Sequence, residues 1–224
     1  KKVVVTDFGD MLGFPKSAIV NFVLRRIKKM VPAYSLPGHE RLNDVLAKGG
    51  SLTMDSPDVT QDDLAFLQYT GGTTGLSKGA MLTHRNILMN MVQVMEMIDV
   101  LEDGKEVALT ALPLYHIFAF TVNFLGFYSI GARNILIPNP RPLTNLKRAF
   151  ENYKITWISG VNTLLNGLNN EIWFLDTPPK HLKFASAGGR ALQGSVAQRW
   201  EEVTGKPIVE GYGLTESSPA LSFN

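Results

Sequence analysis

The 224-residue sequence has no cysteine and almost no net charge. Without cysteine, the chain forms no disulfide and offers no thiol for catalysis or metal binding. Its 22 lysines and arginines nearly balance 20 aspartates and glutamates, for a formal charge of +2. Nucleic-acid-binding proteins usually carry a clear basic excess. We therefore expect no nucleic-acid partner, and the composition is compatible with a reducing compartment such as the cytoplasm.

Long apolar runs and a targeting segment are also missing from the sequence. The longest apolar stretch, at residues 117–132, is interrupted by Asn123, Gly126 and Ser129. It is shorter than the roughly 20 residues that cross a bilayer, so it predicts a buried core helix. The N-terminus, KKVVVTDFGD, has no initiator methionine and no signal segment. We expect the chain to be an internal fragment of a longer protein.

Strand-like and helix-like segments alternate along the chain. The predicted strands are VVVTD, LAFLQYT, VALTAL, NILIP, ITWIS, KFASA and PIVEGYG. Helices are predicted near residues 16–31, 42–50, 84–98, 143–153, 162–170 and 195–205, the third capped by Thr83. This alternation is typical of parallel βαβ units with helices on both faces of one sheet. The sequence therefore predicts an α/β fold built on a parallel sheet.

Three glycine-containing segments follow predicted strands: TGGTTGLSKG after LAFLQY, AGGR after KFAS, and GYGLTE after PIVE. Ligands of open α/β sheets bind outside the carboxyl ends of the strands. Glycines let backbone N–H groups approach an anion, threonine hydroxyls add donors, and a lysine adds a mobile positive charge. We predict that the three segments meet at one cleft that binds a polyphosphate. For the first segment, a flexible surface loop is the alternative.

Two of these segments fail the common nucleotide motifs that they come nearest to, but the first resembles another signature. Ser77 precedes Lys78 and Gly79 follows it, so the Walker pattern fails. GYGLTE has Glu216 in place of the third glycine of a dinucleotide fingerprint. YTGGTTGLSKGA, at residues 69–80, resembles the signature of the adenylate-forming enzymes: acyl-CoA synthetases, luciferases and peptide-synthetase adenylation domains. LPLYHIFA, SAGGRAL and EGYGLTE resemble further segments of that family in the same order, most closely in its bacterial long-chain fatty-acid–CoA ligases.

The resemblance implies an activity and a domain organisation. The activity is the activation of a long-chain fatty acid by ATP and Mg²⁺ to an acyl-adenylate and then to an acyl-CoA, with release of AMP and pyrophosphate. Fatty acid, ATP and coenzyme A would be the partners. Residues 1–63 would be a leading segment and 64–224 the nucleotide- and acyl-binding core of a partial AMP-binding domain, nearly inactive without the absent C-terminal domain. Adenylation of another apolar acid, a non-catalytic nucleotide-binding module and an ATP-hydrolysing phosphotransferase stay open.

The resemblance also assigns roles to residues of the nucleotide site. The implied contacts of the β- and γ-phosphates are Thr70, Gly71, Gly72, Thr73, Thr74, Gly75 and Lys78. Thr73 and Glu216 are the implied magnesium contacts, and Thr215 the contact of the α-phosphate. Tyr212 would lie against the adenine, and four glycines would allow close backbone approach: Gly188, Gly189, Gly211 and Gly213. Thr215, Glu216, His116 and Lys78 are the implied catalytic residues.

The acyl side of the site is indicated by the segment around His116. A lone histidine in an apolar segment is usually a core residue, but His116 resembles the family's histidine beside the reacting carboxylate. Residues 114–131 include no acidic side chain that could hold a substrate ammonium group, which favours an apolar acyl chain over an amino acid. Phe120 resembles an aromatic gate. Val161, Asn162 and Thr163 resemble tunnel wall, although core packing explains them equally well.

The predicted helix at 16–31 is basic and amphipathic, with Lys16, Arg25, Arg26, Lys28 and Lys29 around an apolar stripe. One interpretation is a helix packed on the sheet with solvated charges. The other is peripheral contact with the anionic inner face of the cytoplasmic membrane. A sheet edge left uncovered in such a fragment would also favour self-association as a homodimer.

Overall fold

The computed structural model describes residues 2–70 and 77–224. They form two compact units, of which one extends to Asp58 and the other spans Val59–Asn224. In the first unit, strand β1 (Val4–Val5) pairs in parallel with β2 (Glu40–Arg41). Its helices are a 3-10 turn at Asp10–Leu12, α1 (Lys16–Phe22), a π-helix at Val23–Ile27 that continues α1, and α2 (Leu42–Gly49).

The basic helix of the first unit keeps its apolar stripe exposed. Asp7, which follows β1, accepts hydrogen bonds from the guanidinium groups of Arg25 and Arg41 and so ties the helix to the small sheet. The stripe points elsewhere, because Ile19, Phe22, Ile27 and Met30 are each 59–65% exposed. The interpretation of a helix packed on a sheet therefore does not describe this helix within its own unit.

The second unit begins with an antiparallel hairpin. Strand β3 (Leu64–Thr70) pairs with β4 (Lys78–Thr83), and the glycine segment lies between them. Helix α3 (His84–Glu96) follows β4 directly. The predicted cap of α3 is confirmed, because the Thr83 hydroxyl accepts a hydrogen bond from the Asn86 backbone and the Asn86 side chain accepts one from the Thr83 backbone. This reciprocal pair satisfies two amides at the helix start.

A six-stranded sheet forms the rest of the second unit. Its strands are β5 (Val107–Thr110), β6 (Arg133–Leu136), β7 (Trp157–Gly160), β8 (Phe184–Ala187), β9 (Ile208–Gly213) and β10 (Ala220–Phe223), in the order β10-β9-β8-β7-β5-β6. Neighbouring strands from β5 to β9 are parallel, and β10 is antiparallel to β9. The connecting helices are a π-helix at Ala119–Gly126, α4 (Phe127–Ser129), α5 (Thr144–Asn152), α6 (Asn162–Leu168), α7 (Ile172–Asp176), α8 (Gly194–Thr204) and a 3-10 turn at Thr215–Ser217.

Helices cover both faces of the six-stranded sheet, which confirms the predicted α/β class. Neighbouring residues of a strand point to opposite faces. In β7, Ile158 therefore packs with α5, α6 and α8, where Trp200 is fully buried. Trp157 packs with α3, with the π-helix and with α4, where Phe127 is fully buried. Within the described residues, no helix is long and apolar enough to cross a membrane.

The structure differs from the sequence-based prediction in three places. The segment at 78–83 is a strand rather than part of a loop, so β3 belongs to a hairpin of its own and not to the parallel sheet. The C-terminal residues include the unpredicted edge strand β10. The predicted helix at 117–132 is mostly π-helical, and only one of its faces is buried: Val122 is 2% exposed, whereas Tyr128 is 73% exposed.

Candidate functional site

The first cavity of the second unit lies at the carboxyl ends of β8 and β9 and has a volume of about 420 Å³. Thr70, at the end of hairpin strand β3, contributes to its wall. The predicted site residues that this cavity brings together are Thr70, His116, Gly188, Gly189, Gly211, Tyr212, Gly213, Thr215 and Glu216. The described residues of the three glycine-containing segments thus lie around one cleft, the first segment being represented there by Thr70.

Most of the predicted phosphate loop lies outside the described residues. This applies to Gly71, Gly72, Thr73, Thr74 and Gly75. The two ends of the loop are described: Thr70 is the register partner of Lys78 across the hairpin, and its hydroxyl donates to the Lys78 carbonyl at 3.4 Å. Lys78 is exposed and begins strand β4 next to the cavity wall formed by Thr70.

The cavity wall is made of backbone that passes unusually close to its neighbours. A Cβ atom on Gly188 would lie 3.2 Å from the Phe118 ring, and one on Gly211 would lie 2.9 Å from the Phe223 ring. Gly189 has a φ of +80°, a conformation that other residues rarely adopt. These glycines therefore leave main-chain groups, rather than side chains, at the wall of the cavity.

The chemistry of this wall fits a nucleoside triphosphate together with a hard cation. Tyr212 is 63% exposed beside the glycine backbone, so its ring offers a face on which a planar base can stack. Glu216 is exposed in the 3-10 turn and contributes one carboxylate. Magnesium commonly takes one or two protein carboxylates and completes its coordination with phosphates and water. One carboxylate beside hydroxyl oxygens therefore suits the cation, and the glycine N–H groups suit the phosphates.

A second cavity of about 500 Å³ adjoins the first. Val161, Asn162 and Thr163 line it, together with residues that the sequence did not single out, including Leu112, Arg190 and Gln193. The Asn162 Oδ1 accepts a hydrogen bond at 3.0 Å from the backbone of Gln193, which connects two sides of this wall. Four residues line both cavities: His116, Phe118, Gly188 and Gly189.

His116 is exposed at the junction of the two cavities and is therefore not a core residue. Its Nδ1 lies 3.3 Å from the Phe118 backbone nitrogen, which donates a hydrogen bond to it. Because Nδ1 accepts, the proton of the neutral ring is on Nε2. The ring can therefore donate one hydrogen bond from Nε2 to an anionic group.

Phe120 lies outside the linings of both cavities. Its ring packs edge-on against Phe66 of the hairpin at a centroid distance of 4.9 Å and lies 5.8 Å from the Phe124 ring. It also packs against the small core formed by Leu82, Ile87 and Ile117. The assigned role of Phe120 as a gate stays a prediction. Phe118, two residues earlier in the same segment, is the aromatic side chain that reaches both cavities.

Comparison with known proteins connects this site to one family. The family model described as "AMP-binding enzyme" matches residues 14–224. The long-chain-fatty-acid–CoA ligase of Salmonella typhimurium is 47% identical over 223 residues, which are 99% of this chain and 40% of that protein. The ligase of the same name from Yersinia pestis is 46% identical and covers 100% and 40%, respectively. The chain thus spans about 40% of the length of the curated relatives it matches.

A solved structure shares the fold over the whole chain. The ATP-bound MatB of Rhodopseudomonas palustris superposes with a TM-score of 0.73 at 25% identity, covering 100% of this chain and 42% of that one. The match extends over both units of the present chain, although the sequences differ at most positions.

Proposed function

Because the chain belongs to the AMP-binding enzyme family, we propose that the full-length protein activates a long-chain fatty acid with ATP. The products of the first reaction are an acyl-adenylate and pyrophosphate, and those of the second are an acyl-CoA and AMP. The observation that carries this proposal is the wall shared by the two cavities. A nucleotide in the first cavity and a carboxylic acid in the second would bring the α-phosphate and the carboxylate together there.

In the first reaction, a carboxylate oxygen attacks the α-phosphorus and the bond to the bridging oxygen of pyrophosphate breaks. The carboxylate has no proton to lose, so no general base is needed. His116 would orient the carboxylate with its Nε2–H, and the Thr215 hydroxyl would contact the α-phosphate. Positioned donors of this kind act mainly by orienting reactants and stabilising developing charge. In the second reaction, the thiolate of coenzyme A attacks the acyl carbonyl and AMP leaves.

Glu216, together with Thr73 of the glycine segment, would hold Mg²⁺. The ion, when bound, neutralises charge on the phosphates and so favours departure of pyrophosphate. Lys78 stands at the hairpin end of the same segment and would add a positive charge near the β- and γ-phosphates.

The substrate class is inferred from the second cavity. Its lining includes the apolar side chains of Leu112, Phe118 and Val161 and, among the described residues, no aspartate or glutamate. A site for an amino acid would need an acidic group to pair with the ammonium. The names of the bacterial relatives support a long-chain fatty acid. Another apolar carboxylic acid is the second candidate, since one relative, 34% identical over 169 residues, is named feruloyl-CoA synthase.

The test is product analysis of the full-length protein with ATP, Mg²⁺, coenzyme A and a panel of carboxylic acids. AMP, pyrophosphate and acyl-CoA are the expected products, with long-chain acids preferred. His116→Ala should lower the rate of adenylate formation by about 100-fold, as the loss of one positioned donor typically does. His181→Ala is the matched control, because His181 is exposed and lies outside both cavities.

Other products would refute the proposal in distinguishable ways. ADP and phosphate would indicate a phosphotransferase, and ATP binding without turnover would indicate a non-catalytic module. Pyrophosphate exchange by the present 224 residues alone, at a rate near that of the full-length protein, would contradict the expectation that this portion is nearly inactive by itself.

We also propose that the basic helix brings the protein to an anionic membrane surface, where a fatty acid would be met. The support is the exposure of Ile19, Phe22 and Ile27 beside Arg26 and Lys28, a combination typical of interfacial helices. Co-sedimentation of the full-length protein with anionic liposomes at low salt is the expected result. Phe22→Ser should lower the fraction of protein that sediments with anionic liposomes. If the same fraction sediments with neutral liposomes, or without liposomes, the proposal is contradicted.

A further inference from the structure

The strand that follows Glu216 is held by a buried side chain of helix α3. Asn90 is 6% exposed. Its Nδ2 donates to the Ala220 carbonyl oxygen at 2.8 Å, and its Oδ1 accepts from the Ala220 backbone nitrogen at 3.0 Å. The two residues are 130 positions apart in the sequence. Because both ends of one amide bind both polar groups of one residue, the start of β10 is fixed in position and in rotation.

The segment between Glu216 and β10 is closed locally by Ser217, whose backbone nitrogen donates to the Leu214 carbonyl oxygen at 3.0 Å and whose hydroxyl accepts from the Leu214 backbone nitrogen at 3.0 Å. It has few anchors to other elements besides Asn90. The Thr121 hydroxyl, on the π-helix, donates to the Ser218 carbonyl oxygen at 3.2 Å. The Leu214 backbone nitrogen donates to the Pro219 carbonyl oxygen at 3.0 Å, which folds the segment back on β9. Helix α3 and the π-helix therefore hold this turn from outside, through Asn90 and Thr121.

The carboxylate of Glu216 takes its position from this backbone alone. Glu216 is exposed, and its side chain accepts no hydrogen bond from the residues that the structure describes. Beside it, a cavity of about 260 Å³ separates the turn from Arg85, Asn86 and Gln93 of helix α3. With room on that side and no side-chain bond, a shift of the turn would carry the carboxylate with it.

Helix α3 also continues directly from strand β4, whose first residue is Lys78. The bonds between Asn90 and Ala220 thus connect the hairpin that flanks the glycine segment to the turn that bears Glu216. We propose that Asn90 is a positioning residue for Glu216, an inference that rests on the function proposed above. It sets the place of the carboxylate relative to the phosphate-binding hairpin and so the affinity for Mg²⁺ with ATP.

The experiment compares variants of the full-length protein. Asn90→Leu removes both hydrogen bonds at similar volume, and Asn90→Asp keeps the acceptor for the Ala220 amide. Asn169→Leu is the matched control: Asn169 is also buried, at 3% exposed, and its Nδ2 donates to the Val196 carbonyl oxygen at 3.0 Å, outside the linings of both cavities. Calorimetry measures the Kd of ATP with and without Mg²⁺, and pyrophosphate release gives the half-saturating Mg²⁺ concentration.

Asn90→Leu should raise the Kd of ATP in the presence of Mg²⁺ about 10-fold. This is the lower end of the loss in metal affinity that follows from mutating residues that orient metal ligands. Asn90→Asp should give a smaller increase. Without Mg²⁺, the Kd of ATP should change little. The control should lower the melting temperature but leave both Mg²⁺ measurements unchanged, because its bond lies away from Glu216.

Two results would overturn the inference. One is a Kd of Asn90→Leu within about twofold of the parent protein, and the other is an equal loss in Asn169→Leu, which would indicate general destabilisation. If Asn90→Leu does not fold, Thr121→Val removes the second anchor of the turn, and an unchanged Mg²⁺ dependence in that variant would count equally against the inference. A parent protein that binds ATP with Mg²⁺ but forms no adenylate refutes the proposed activity and leaves the calorimetric comparison valid.

Discussion

Removing the ammonium group of Lys183 should destabilise the protein strongly near neutral pH. The Glu106 side chain, just before β5, is 0% exposed. Its Oε1 accepts from the Lys183 Nζ at 2.6 Å and from the Glu102 backbone nitrogen at 2.8 Å. Lys183 is less dependent on this pair, because its side chain is 26% exposed and also donates to the Val100 carbonyl oxygen and to Glu102.

The two partners of this ion pair should therefore respond unequally. Lys183→Met leaves a buried carboxylate without its cation, a change that typically costs about 3–5 kcal/mol of unfolding free energy. Glu106→Gln leaves a partly exposed ammonium that keeps its other two acceptors, so the cost should be nearer one lost charged hydrogen bond, about 1.5–3 kcal/mol. The double variant should recover part of the Lys183→Met loss, since neither charge then remains buried.

The contribution of this ion pair to the free energy of unfolding depends on pH in a direction that the structure fixes. Burial alone raises the pKa of Glu106, but the hydrogen bond from Lys183 and its other contacts outweigh burial and hold that pKa below its usual value of 4.5. The pair therefore stabilises the parent protein above the unfolded-state pKa, and this contribution is lost as the pH falls through the folded-state pKa. In Lys183→Met, only the hydrogen bonds from Thr156 and Glu102 still oppose burial, so the folded-state pKa of Glu106 should rise relative to the parent protein. The penalty should therefore be largest at high pH and fade as the carboxyl group is protonated.

Urea unfolding of the full-length protein at pH 8 and pH 5, followed by tryptophan fluorescence, measures both effects. Trp157 on β7 is buried and reports on the core of the six-stranded sheet. The Lys183→Met loss should be largest at pH 8 and clearly smaller at pH 5. Equal losses at the two pH values, or a Glu106→Gln loss as large as that of Lys183→Met, would refute the reasoning. The pair lies at the amino ends of the strands, so turnover per folded molecule should not change.

Two further changes probe the cavity walls. Gly213→Ala should lower the melting temperature, because the new Cβ would clash with the Pro219 carbonyl oxygen. Gly194→Ala meets nothing within 4 Å and should be neutral or slightly stabilising. Glu210→Ala should raise the Kd of ATP measured by calorimetry, because its Oε1 accepts from the Leu192 backbone nitrogen at 2.9 Å and so anchors the loop after β8. Glu210→Gln keeps an acceptor and should bind ATP like the parent protein; equal Kd values for both variants would contradict this role.

The parallel sheet could be predicted because its signals are local. Strands such as Trp157–Gly160 are buried along their whole length, and helices with apolar residues at helical spacing follow them. The cap at Thr83 is local in the same sense, since its partner is three residues away. Strand β10 could not be predicted in this way, because it is positioned by β9 and by Asn90, which lies 130 residues earlier.

The candidate site could be predicted where the backbone requires glycine, because those glycines are visible in the sequence. The segments at 188–189 and 211–216 come together as expected, because the first follows β8 and the second includes the end of β9, which is the parallel neighbour of β8. Phe223 was missed because it sits on the unpredicted β10. Arg190 belongs to the segment AGGR but was not predicted as a site residue. Its place in the second cavity depends on the path of the loop after β8.

The hairpin is the part of the site whose placement depends most on other elements. An isolated two-stranded hairpin is marginally stable, and Leu67 and Met81 of this one are 53% and 71% exposed. Its inward side is held by packing of Phe66 on Phe120 and by the Gln68 side chain, which donates to the Tyr115 carbonyl oxygen at 3.1 Å. Tyr115 precedes His116, so the same bond that supports the hairpin also fixes the backbone beside the junction of the two cavities. In the proposed function, phosphate binding and carboxylate positioning would therefore share one support, and a change at Gln68 should disturb both.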